Sequence, residues 1–131
     1  NLIKRLGAED IVELIAMPKL VEFAESGEFN TERVKEYVSE SLEKFNLEEY
    51  SYLVLGCTHF PYFKTTLKEM LPDNICVIDG SIGVAERLKE VLEDNKILGN
   101  NNLEIAFYYS GRKVEEELEI AKLKNLMDKI Q

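Results

Sequence analysis

The chain has 131 residues, 45% of them hydrophobic, and a formal net charge of −9. That suits one domain, or a large part of one, with a sizeable core. Acidic residues spread along the chain, without clusters of Lys and Arg, argue against nucleic acid or an anionic membrane surface as partner. An anionic small molecule needs only a local pocket of donors and is not excluded. No apolar run approaches the roughly eighteen residues of a membrane span, and no signal-peptide pattern opens the chain. Two cysteines are too few for a disulfide framework, so a soluble cytoplasmic protein is the expectation.

In chain order, residues 1–6 read as the tail of a helix, with Leu2, Ile3 and Leu6 at helical spacing and Gly7 ending it. Residues 11–16 are a short apolar run expected to be a buried strand. Residues 19–26 read as a short helix closed by Gly27, after which Asn30 or Thr31 can cap the next helix. That helix carries Val34, Tyr37, Val38, Leu42 and Phe45 on one face. Residues 52–55 are a second strand. Pro61 suits the first turn of a helix, where a missing N–H costs nothing, and Phe63, Leu67, Met70 and Leu71 give that helix its core face.

Residues 75–78 are a third strand, and residues 81–92 the clearest helix, with Val84, Ala85, Leu88, Val91 and Leu92 on one stripe. A loop at 99–102 leads to a fourth strand over 103–109. A charged helix over 114–130 closes the chain, with a candidate break near Lys122. Short, nearly continuously apolar strands alternating with helices predict an α/β fold, a parallel sheet flanked by helices. No internal repeat or low-complexity segment stands out.

In open α/β sheets, ligands sit beyond the carboxyl ends of the strands. Three such ends are expected on one edge: Ala16-Met17-Pro18, Gly56-Cys57-Thr58-His59 and Asp79-Gly80-Ser81. Cys57 follows a glycine and precedes a helix start near Phe60 or Pro61. Unpaired N–H groups and the positive end of the helix dipole there favour a thiolate. With the Thr58 hydroxyl, the same groups can receive a carboxylate, and the neighbouring His59 imidazole can exchange protons. The competing reading is that Cys57 packs as a small hydrophobe while Thr58 and His59 cap the helix. Cys76, inside an apolar strand, is expected to be core packing, Asp79 to cap the following helix, and Tyr108, Tyr109 and Ser110 to be core and turn residues.

"LVLGCTHFP" (residues 53–61) resembles the second active-site motif of the glutamate racemase family, in the aspartate/glutamate racemase superfamily. "IAMPKLVEFAESGEF" resembles the strand and loop ahead of that motif, with Met17 where the family would have cysteine. "ICVIDGSIGVAERLKEVL" and "FYYSGRKVEEELEIA" resemble the following strand and helix and the closing strand and helix. Histidine after Cys-Thr favours the glutamate branch over the aspartate branch.

The resemblance implies a bacterial, cofactor-independent, metal-free isomerase that interconverts L- and D-glutamate for peptidoglycan synthesis, and so for the cell wall and cell shape. One thiolate would remove the α-proton and a second thiol would return a proton on the opposite face. Cys57 matches one of these thiols, and Thr58 and His59 match positions that contact substrate or assist it.

The family's other cysteine lies in an Ala-Cys-Asn-Thr type motif, which this sequence does not contain. The resemblance therefore implies one half of a two-domain racemase-type fold. Residues 1–102 correspond to its second α/β domain, incomplete at its start, and residues 103–131 to a closing strand and helix that pack on the first. On that reading the chain is a fragment, inactive alone, that can self-associate through its closing segment. The alternative is a non-catalytic α/β ligand-binding or interaction module. Thiol redox chemistry is disfavoured, because no second cysteine stands at Cys-x-x-Cys spacing.

Overall fold

A computed structural model describes residues 2–97, 99 and 104–130. The elements in order are α1 (Leu2–Arg5), α2 (Pro18–Ser26), α3 (Glu32–Leu42), β1 (Tyr52–Leu55), α4 (Lys64–Met70), β2 (Cys76–Asp79), α5 (Ser81–Asp94), β3 (Tyr108–Tyr109), β4 (Arg112–Lys113) and α6 (Glu117–Asp128), with 3-10 turns at Leu47–Glu49 and Phe60–Phe63. The fold class is α/β, with β1 and β2 neighbours in a two-stranded parallel sheet flanked by helices. The chain forms two compact units, Asn1–Leu53 with Phe63–Val77, and Val54–Tyr62 with Ile78–Gln131.

The first unit holds most of the core. Pro18 opens α2, where its fixed φ is already helical. The helix ends at Gly27 with φ 78°. The Gly27 N–H donates to the Ala24 carbonyl at 3.1 Å and the Glu28 N–H to the Phe23 carbonyl at 2.9 Å. These are the paired bonds of a Schellman cap, which needs a left-handed residue at that point. Thr31 then caps α3, its hydroxyl oxygen accepting from the Val34 N–H at 3.4 Å, and Arg33 pairs with Glu28 at 3.0 Å across the turn.

Apolar residues three and four apart turn one face of each helix inward: Leu20, Phe23 and Ala24 of α2; Val34, Val38 and Leu42 of α3; and Leu67 of α4. α3 packs against both α2 and α4. Phe63, fully buried, meets the Phe29 ring at 5.9 Å. The one buried polar side chain among the described residues, Thr66, donates its hydroxyl to the Phe29 carbonyl at 2.8 Å, which removes the cost of burying it. Met70 is only half-buried, and Phe45 lies beyond the end of α3.

The strand expected over residues 11–16 does not form. Ile11 and Leu14 are 82% and 75% exposed, and residues 12–17 have no regular structure. An apolar run becomes a strand only where another strand completes its hydrogen bonds, and among the described residues none lies alongside. Glu13 of this segment stands close enough to the Tyr50 hydroxyl to raise its pKa. Tyr50 stands just before the sheet. Its carbonyl accepts from Asn74 Nδ2 at 2.9 Å, and the next carbonyl, of Ser51, accepts from the Cys76 N–H at 2.8 Å.

Along β2, Val77 is buried and Cys76 is exposed. The expectation that Cys76 is core packing is thus wrong. Successive strand residues point to opposite faces, and Cys76 lies on the uncovered one.

In the second unit, Asp79 accepts the Ser81 N–H on Oδ1 at 2.8 Å at the start of α5, the capping role expected of it. The stripe of α5 has helical spacing, yet none of its residues is buried. The fourth strand shortens to Tyr108–Tyr109 and turns back antiparallel onto Arg112–Lys113, with Tyr108 opposite Lys113 and Tyr109 opposite Arg112. Ser110 (φ 46°) and Gly111 (φ 83°) both adopt left-handed backbone, the geometry of a two-residue hairpin turn that matches strand twist. Tyr108 and Tyr109 are exposed, so they are not core. α6 runs through Lys122 without a break. Of the loop expected at 99–102 only Gly99 is among the described residues, and Leu103 is also outside them. Among the described residues no helix is long and apolar enough to cross a membrane.

These differences in burial set the expected stability changes. Phe63→Ala should cost about 3–5 kcal/mol in urea denaturation followed by circular dichroism, whereas Val84→Ala, at a residue 69% exposed, should stay within about 0.5 kcal/mol. Gly27→Ala should cost about 1–2 kcal/mol through its left-handed backbone. The Tyr50 phenol is held above its ordinary pKa, first by the hydrogen bond to Glu13, then by desolvation and the charges of Glu13 and Glu49. The folded state therefore keeps the phenolic proton to higher pH than the unfolded state does. That contribution is complete below pH 10 and is lost as pH rises through the raised value. Tyr50→Phe should flatten this alkaline fall in the urea midpoint.

Candidate active site

The site grows out of the end of β1. Leu55 is buried and Gly56 follows it; the chain then leaves the strand in a tight turn in which the Cys57 carbonyl accepts the Phe60 N–H at 3.1 Å. Pro61 falls inside the 3-10 turn Phe60–Phe63, and the regular α-helix starts only at Lys64. The sequence expectation put the helix start at Phe60 or Pro61, directly after Cys57. A helix dipole acts mainly over its first turn, and Cys57 precedes the α-helical turn by seven positions. The local influence on the thiol is its side-chain neighbour.

That neighbour is His59. Cys57 Sγ lies 3.8 Å from His59 Nδ1, in a partly buried setting. Either the thiol donates to Nδ1 or an Nδ1–H donates to sulfur, depending on the tautomer. Such a pair can pass a proton between sulfur and nitrogen. Cys57 and His59 are half-buried, and Thr58 is exposed, so a molecule arriving at the turn can reach all three. The sequence reading singled out these three residues, and the structure brings Cys57 and His59 into contact.

Of the two other expected strand ends, one keeps the capping role read for it and the other is not a strand end. Asp79 is occupied with the Ser81 N–H. Met17 is buried at the start of α2, where no strand precedes it, so residues 16–18 are not the carboxyl end of a strand. Among the described residues no group of three His, Cys, Asp or Glu side chains could hold a metal ion.

A shallow groove between α2 and α3 is the competing concave feature; its walls include Lys19, Phe23, Arg33, Tyr37 and Glu40. Its cations stack on its own rings, Lys19 at 5.3 Å from Tyr37 and Arg33 at 5.5 Å from Phe23, and its lining holds no thiol or imidazole. Sequence periodicity does not reveal this groove, because its residues come from two helices that only tertiary packing brings together.

A half-buried thiol against an imidazole at a strand end can exchange protons or take part in thiol chemistry. Comparison with known proteins narrows the class. The chain is 46% identical over 123 residues to a glutamate racemase of Campylobacter concisus, an alignment that covers 94% of this chain and 47% of that protein. It is 39% identical over 128 residues to glutamate racemase 2 of Bacillus subtilis, covering 98% and 48%. A glutamate racemase of Lachnospira eligens is 35% identical over 135 residues, covering all of this chain and 51% of its own length. No family model matches the chain. By sequence the chain is related to the glutamate racemases, and it spans about half the length of the curated relatives it matches.

If His59 governs the sulfur it touches, His59→Ala should slow alkylation of Cys57 by iodoacetamide severalfold at neutral pH. The exposed Cys76 of the same molecule, read by peptide mass spectrometry, should react unchanged and serve as the internal standard.

Proposed function

We propose that this chain carries one half of the active site of a cofactor-independent glutamate racemase, with Cys57 as one of its two acid–base thiols. The observation that carries the reading is the 3.8 Å approach of Cys57 Sγ to His59 Nδ1, inside a stretch similar to proteins of that name.

The α-hydrogen of glutamate is a weak acid, so its removal needs a positioned base and a stabilised carbanion. In the reaction as proposed, a thiolate takes the α-proton, and the C–H electron pair stays on the α-carbon. A thiol on the opposite face then donates its proton to that carbon. Inversion leaves the first sulfur protonated and the second as thiolate, so the reverse direction starts from the complementary state. Cys57 serves one face. His59 exchanges protons with it, and the Thr58 hydroxyl, exposed at the same turn, binds the substrate.

On this reading the opposing thiol comes from outside residues 1–131, because the sequence holds no Ala-Cys-Asn-Thr type motif. In this reading residues 1–102 are the second α/β domain of the racemase, and residues 103–131 close onto its first. The product, D-glutamate, would serve peptidoglycan synthesis in a bacterial cytoplasm.

The test is α-hydrogen exchange in D2O, followed by proton NMR of L- and D-glutamate. This chain alone should leave the α-hydrogen in place. Joined to the first half of the Campylobacter concisus relative, it should exchange and racemise. Cys57→Ala in the joined protein should reduce the rate by about 10²–10⁴-fold, the usual contribution of a positioned acid or base. Exchange by this chain alone would contradict the two-thiol scheme, and full activity of the Cys57→Ala joined protein would remove Cys57 from it. The exposed Tyr108, Tyr109 and Leu118 also support association between copies of the chain; a monomer by light scattering at high concentration would overturn that part.

A further inference from the structure

We draw no further inference here: the strongest candidate, the exposed apolar stripe of α5 formed by Ile82, Val84, Leu88 and Val91, carries nothing because no observation in the structure shows what covers it.

Discussion

The packing of α3 between α2 and α4 is the constraint on which the first unit rests. Val34 and Val38 are wholly buried, and each such side chain contributes about 1.5–3 kcal/mol when removed from water. None of these helices is longer than eleven residues, and isolated helices that short are marginal in water. They persist because each buries its stripe against a neighbour. The caps at Thr31 and Gly27 add smaller amounts and set where each helix starts and stops.

The candidate site uses a different device. Gly56 ends β1, the Cys57 carbonyl closes a turn on the Phe60 N–H, and two residues on, the His59 ring comes back to the sulfur. A thiol and an imidazole two positions apart meet only where the chain bends; in a continuing strand both side chains would run parallel on one face. The turn therefore creates the contact, and it does so with local backbone bonds. A site assembled this way places one thiol against one imidazole at the turn. In the two-thiol racemisation proposed above, the thiol for the other face of the α-carbon comes from elsewhere.

The second unit contrasts with the first. α5 has fourteen residues and α6 twelve, and neither buries a side chain. Their apolar residues sit at helical spacing all the same. Amphipathic patterning states which face would be buried and leaves open what buries it. The hairpin between them follows the same logic at short range. Ser110 and Gly111 allow a reversal after two strand residues, and the local turn prevails over the longer strand that the apolar residues of 103–109 suggested.

Much was legible in the sequence. Helical periodicity located α2, α3 and α5, Gly27 and Thr31 marked their ends, and Tyr52–Leu55 formed as read, because caps and periods are local properties of the chain. The Cys-Thr-His stretch was legible for the same reason, being built by one turn. Tertiary structure decided the rest. Whether residues 11–16 pair, which face of β2 is covered and hence that Cys76 is exposed, and whether the α5 stripe is buried all depend on atoms distant in sequence. An apolar residue registers a tendency to leave water, and only a neighbouring surface determines whether it does.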